Sequence, residues 1–177
     1  FFDRRYIAGV DWYRYGATSM IRNQFRFSTH SETFFPLLFL AKGNTPLLMG
    51  KLAPTFGKNN SDLRRNDCRN MMKDLTNLLE TKVDWEKVSL SSQNTSLGKL
   101  PILYWSGYNV TRLTDAENQV LKKFLDDGGT LVIAPALASQ AFEDGALQEL
   151  RQIYPTGVFE DLSADHELRQ MYYDLRD

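Results

Sequence analysis

Cysteine and histidine are scarce in this chain of 177 residues: Cys68 is its one cysteine, and His30 and His166 are its two histidines. A single cysteine excludes a disulfide framework and a cysteine-rich zinc site. Two distant histidines leave little material for metal or acid–base chemistry, so no metal site and no cofactor is expected. Excess charge is missing as well. The 21 basic and 22 acidic side chains leave a net charge of -1, which gives no global field to draw nucleic acid or an acidic membrane. Long apolar runs are absent. The longest, Phe34-Phe35-Pro36-Leu37-Leu38-Phe39-Leu40-Ala41, falls far short of the ~20 residues that span a bilayer and reads as a buried strand. No glycine loop of the phosphate-cradling kind is present, because Gly128-Gly129 precede a strand instead of opening a helix.

What is there suffices for a core. A chain of this length buries about 70% of its unfolded surface without disulfides or metal. Residues 1–45 differ in texture from the rest. Phe1, Phe2, Tyr6, Trp12, Tyr13, Tyr15, Phe25, Phe27, Phe34 and Phe35 crowd here, interleaved with Arg4, Arg5, Arg14, Arg22 and Arg26. Residues 24–28 alternate as a strand does, with Phe25 and Phe27 on one face. The segment is expected to be an N-terminal extension of short strands and loops. Aromatic and arginine side chains are enriched at protein interfaces, so Trp12, Tyr13 and Arg14 are candidate contacts for a protein partner or for self-association. The accompanying Asp3, Asp11 and Glu32, and the lack of any RNA-recognition signature, argue against nucleic acid.

Residues 46–177 read as an α/β domain. Strands are expected at 47–52, 83–90, 102–105 and 130–134, the last two as continuous apolar runs of the kind buried on both faces. Turn chemistry fills 53–61, with Pro54, Gly57, Asn59 and Asn60. Ser61 or Asp62 can cap a helix reaching residue 81, with Cys68, Met71, Met72, Leu75, Leu78 and Leu79 along one stripe. Thr114-Asp115-Ala116-Glu117 is a capping box, and Ala116, Val120, Leu121, Phe124 and Leu125 mark the buried face of the helix it opens. Gly128-Gly129 end that helix. A third helix is expected over 139–154, a last short strand from Val158-Phe159, and a helix over 166–175 with Leu168 inward. Strands alternating with helices imply a mostly parallel sheet covered on both faces.

From Ile102 to Ala134 the order is a strand, Ser106-Gly107-Tyr108-Asn109, Leu113-Thr114-Asp115-Ala116-Glu117, then Leu125-Asp126-Asp127-Gly128-Gly129-Thr130-Leu131. This resembles the uncharacterised bacterial family known as domain of unknown function 4159. Residues 67–83 resemble the family's first helix, and residues 147–155 its third, ending in Tyr154-Pro155. Ala164-Asp165-His166 resembles its aspartate-histidine-proline signature. The resemblance covers about residues 47–175. It implies a flavodoxin-like fold similar to that of class I glutamine amidotransferases, in a chain continuing past Asp177; the start at Phe1 without methionine is separately expected to mean a chain processed, trimmed or cut from something longer. It further suggests a membrane-associated or periplasmic bacterial setting, without settling the compartment. It implies no reaction. Three positions depart from the family pattern: Gly107-Tyr108-Asn109 lacks its histidine, Ala134-Pro135-Ala136 lacks its acids, and Glu167 replaces its proline.

Ligands of open α/β sheets sit beyond the carboxyl ends of the strands, which points to Gly107, Tyr108, Asn109 and Arg112 as candidate ligand or partner contacts. An amidotransferase needs an activated cysteine on a strand-to-helix turn. Cys68 instead lies on an apolar helix face, where a free thiol acts as a small hydrophobe. The expectation is a non-catalytic α/β domain acting through protein contacts in a larger bacterial assembly or chain. Two alternatives stand beside it: a hydrolase- or amidotransferase-like enzyme working through Ser106, Asp165 and His166, and a small-ligand-binding domain of the same fold.

Overall fold

The structure is a computed structural model, and it describes residues 6–7, 10–22, 30–43, 45–52, 66–90, 97–109, 112–163 and 165–170. The expected strand at 24–28, the turn at 53–61 and the end of the last helix lie outside the described residues, and the helix expected to be capped by Ser61 or Asp62 instead starts at Asp67 with Asn66 in the N-cap position.

The extension forms helices where strands and loops were expected. A two-residue antiparallel pair, β1 (Tyr6–Ile7) and β2 (Val10–Asp11), precedes α1 (Trp12–Arg22) and α2 (His30–Gly43). Asp11 decides the start of α1: its Oδ1 accepts the Arg14 N–H at 2.9 Å, as an N-cap does. The apolar run at 34–41, read above as a buried strand, belongs to α2 with Pro36 inside it. Its Phe39 ring stacks on Tyr13 at 5.4 Å and meets Trp12 edge-on at 5.2 Å. Gly16 leaves room for that ring, since a Cβ there would come within 2.5 Å of it.

The α/β domain follows the sequence pattern. β3 (Leu47–Leu52), α3 (Asp67–Leu79), β4 (Asp84–Val88), β5 (Ile102–Gly107), α4 (Asp115–Asp126), β6 (Thr130–Pro135), α5 (Gln140–Ile153) and a short α6 (Glu167–Gln170) succeed one another. The four strands form one sheet in the order β4-β3-β5-β6, and every pairing is parallel. Counted from β3 this is the 2-1-3-4 order of a flavodoxin-like sheet. The order reverses between β3 and β5.

Each sheet face carries its own core. Leu103 and Trp105 of β5 point to the face covered by α4 and α5, where Leu121, Phe124, Phe142 and Ala146 are buried, and Trp105 meets Phe142 edge-on at 5.7 Å. Met49 and Tyr104 point to the face covered by α3, against Cys68 and Met72. The capping box forms as expected: Thr114 Oγ1 accepts the Glu117 N–H at 3.3 Å, and Glu117 Oε2 accepts the Thr114 N–H at 2.9 Å. The glycines close α4 as a Schellman motif. Gly129 N–H bonds the Phe124 carbonyl, Gly128 N–H bonds that of Leu125, and Gly128 has φ of 94°.

Some expectations are corrected. Ala116 is exposed, its place on the buried face being taken by Glu117, whose carboxylate serves the cap. Leu78 and Leu79, the last two residues of α3, are exposed. Val158-Phe159 form no strand. Val158 is exposed, and Phe159 lies against the Arg151 guanidinium at 5.7 Å, followed by two acids that have no place beside an apolar strand. Leu168 is exposed on α6 instead of inward.

Candidate functional site

Strand order reverses between β3 and β5, and the carboxyl ends of the strands at such a reversal are where the crevice of an open α/β sheet is expected. Three side chains from three elements meet there. Lys51 is the fifth residue of β3, on the α3 face, and only 4% of it is exposed. A buried ammonium must be paired, and its Nζ lies 2.7 Å from Asp67 Oδ1 at the start of α3. The same Oδ1 accepts the Cys68 N–H at 2.6 Å. Ser106, the penultimate residue of β5, donates from Oγ to Asp67 Oδ2 at 3.4 Å. Lys51 Nζ also stands 6.0 Å from the Tyr104 ring centroid. Burial pushes the Asp67 carboxyl up, but the Lys51 ammonium and the Cys68 N–H outweigh it and hold it below the usual carboxylate range.

The loops around the crevice are fastened by polar side chains. Gly107 is buried, while Tyr108 and Asn109 are exposed. The Tyr108 carbonyl accepts a hydrogen bond from Ser139 Oγ at 2.7 Å, and Ser139 in turn caps α5 by accepting the Phe142 N–H. Buried Glu149 of α5 accepts the Leu113 N–H at 3.3 Å. Arg112 is exposed. Between β6 and α5, Leu137 (φ 53°) and Ala138 (φ 52°) both adopt the left-handed conformation. That backbone costs about 1–2 kcal/mol per residue without a glycine.

Ser106 joins Asp67 and Lys51 in the crevice. Asp165 and His166 are exposed beside α6. There His166 Nδ1 accepts the Leu168 N–H at 3.2 Å and the His166 carbonyl accepts the Arg169 N–H, a helix-start role. In the extension, Trp12 and Tyr13 are half-buried against Phe39, Tyr13 donating its hydroxyl to the Leu40 carbonyl at 3.2 Å, while Arg14 is exposed. Lys51 and Asp67 were missed. A lysine inside the apolar run Leu-Leu-Met-Gly-Lys-Leu was the available signal, since it requires a counter-charge, but nothing in the sequence says which acid supplies it.

A groove of about 600 Å³ lies at the opposite, amino-terminal end of β5 and β6, lined by Leu97, Leu100, Pro101, Phe124 and Gly128. Its rim carries Lys123 and Asp127, an exposed ion pair at 2.6 Å. Among the described residues no set of three or more histidine, cysteine, aspartate or glutamate side chains is placed to hold a metal ion, and no helix is long and apolar enough to cross a membrane.

Compared with known proteins, residues 52–177 match the family model described as Domain of unknown function (DUF4159). No curated protein and no solved structure matches the chain.

Proposed function

The chain belongs to the DUF4159 family, and on that premise we propose that it is a non-catalytic α/β domain acting through protein contacts within a larger bacterial assembly or chain. One observation carries this reading. Phe34, Phe35 and Leu37 of α2 are 59%, 67% and 59% exposed, three large apolar side chains within four residues. Contiguous apolar surface of this kind marks interaction sites in soluble proteins. Aromatic side chains with arginines nearby are the residue types that carry binding energy at protein interfaces. The crevice supports the same reading: Ser106 hydrogen-bonds a carboxylate held ionised by a lysine, and a low-pKa carboxylate is a weak base for activating a hydroxyl.

The test is affinity purification with cross-linking of the full chain, beside a Phe34→Ser/Phe35→Ser/Leu37→Ser variant. A stoichiometric partner cross-linked to the extension and lost in the variant is the expected result. A wild-type chain that captures nothing, or a partner indifferent to the substitutions, would sink the reading.

A second reading rests on the Ser106–Asp67 hydrogen bond at the point where strand order reverses. In it the fold works as a hydrolase- or amidotransferase-like enzyme with Ser106 as nucleophile and Asp165 and His166 as further participants. A fluorophosphonate probe decides it: labelling of the wild type that vanishes in Ser106→Ala supports the enzyme, and no labelling removes it.

A further inference from the structure

The groove at the amino-terminal ends of β5 and β6 takes no part in the readings above. The single turn Leu97–Lys99, the start of β5 and the last turns of α4 contribute its lining. Its volume of about 600 Å³ is that of a small-molecule site. Leu97, Leu100 and Phe124 are at most 7% exposed and give it a fixed floor. Half-buried Val120 and exposed Pro101 complete the apolar lining. Glycine keeps the space clear. A Cβ at Gly98 or at Gly128 would meet nothing within 4 Å, so the volume beside both residues is open.

The chemistry of the lining selects what fits. Its apolar side chains offer no hydrogen bond, and the Gly128 and Gly129 N–H groups are already bonded to α4 carbonyls. A polar body would be desolvated there without compensation. The rim has a sign as well: Lys99 and Lys123 are two cations against the one anion Asp127. The Lys123–Asp127 side chains are 76% and 63% exposed, and so exposed a pair holds its members weakly, which lets the Lys123 ammonium turn to another anion. We propose that the groove binds a small amphipathic acid, a medium-chain aliphatic carboxylate. Its chain lies along Leu97, Leu100, Pro101, Val120 and Phe124, and its carboxylate meets the lysines at the rim. The site is separate from α2 and from the Lys51–Asp67–Ser106 cluster, so it stands or falls independently of the protein-contact reading.

Methyl-resolved nuclear magnetic resonance of the full chain, titrated with decanoate below its micelle concentration, tests it. The Leu97, Leu100 and Val120 methyl shifts are expected to move together and to saturate, with a Kd below about 1 mM. Gly98→Phe sets a ring in open space at a residue without a positive φ, so it is expected to melt as the wild type does and to lose the binding. Lys99→Glu/Lys123→Glu, changed at exposed positions, is expected to weaken decanoate by about fivefold. Decyltrimethylammonium, with the same chain and the opposite charge, is expected to bind the wild type more weakly than decanoate does. Shifts that do not saturate, or binding that survives Gly98→Phe, overturn the proposal. Equal affinity for the two amphiphiles, or indifference to the charge reversal, overturns the acid as ligand. Overhauser contacts from another segment of the chain to these methyls, undisturbed by decanoate, would show the groove filled from within and also overturn it.

Discussion

Lys51 and Asp67 form an ion pair with side chains only 5% and 10% exposed, and such a pair tolerates the loss of one member poorly. Asp67→Asn takes the counter-charge from a buried ammonium and is expected to destabilise the fold by about 3–5 kcal/mol in denaturant unfolding. The pH dependence has a definite sign. The folded Asp67 carboxyl lies below its ordinary value, so its contribution is complete above that value and disappears as pH falls through the folded one. The wild type should therefore lose stability below about pH 4 more steeply than Asp67→Asn does. Tyr154 gives the opposite case. Burial, then the hydrogen bond to and charge of Asp126 at 2.7 Å, push its phenol up to about 12. Its contribution is complete below pH ~10 and is lost as pH rises through the folded value. Asp126→Asn should bring the latest phase of the tyrosine absorbance titration to lower pH.

At the scale of elements, α4 is the best-specified piece of the chain, and its ends can be tested separately. Thr114→Ala removes the cap and is expected to cost about 1 kcal/mol. The two glycines at the other end serve different needs. Gly128 supplies a positive φ of 94° in open space, so Gly128→Ala should cost about 1–2 kcal/mol. Gly129 supplies room, because a Cβ would lie 2.2 Å from the Phe124 ring. Gly129→Ala forces that ring to move and is expected to cost about 1–3 kcal/mol. Thermal melts of the three variants measure this. Local chemistry made α4 legible: caps, stripe and stop lie within 16 residues of one another, and each acts on the backbone beside it. The extension misled for the opposite reason. Alternating aromatics suit a strand, but a strand needs a partner, and the Asp11 cap and the Phe39 packing favour helices.

At the scale of the molecule, β5 is the central strand by burial, with Leu103, Tyr104 and Trp105 at most 3% exposed and a strand on either side. Its amides are expected to exchange most slowly, by global unfolding, and those of residues 158–163 to exchange fastest among the described backbone of the domain. Ser106 was legible as a strand-end residue because the apolar run before it fixed where β5 ends. Its partners were not, since Lys51 and Asp67 lie 55 and 39 residues away along the chain. The sequence by itself determined the parallel α/β class, the four strands, the capping box and glycine stop of α4 and the buried place of Cys68, because periodicity and capping act over a few residues. Only the tertiary structure decided the order β4-β3-β5-β6, the helical state of the extension, and the meeting of Lys51, Asp67 and Ser106. Those depend on which surfaces meet across the sheet, a matter of burial and charge pairing between residues that no local pattern links.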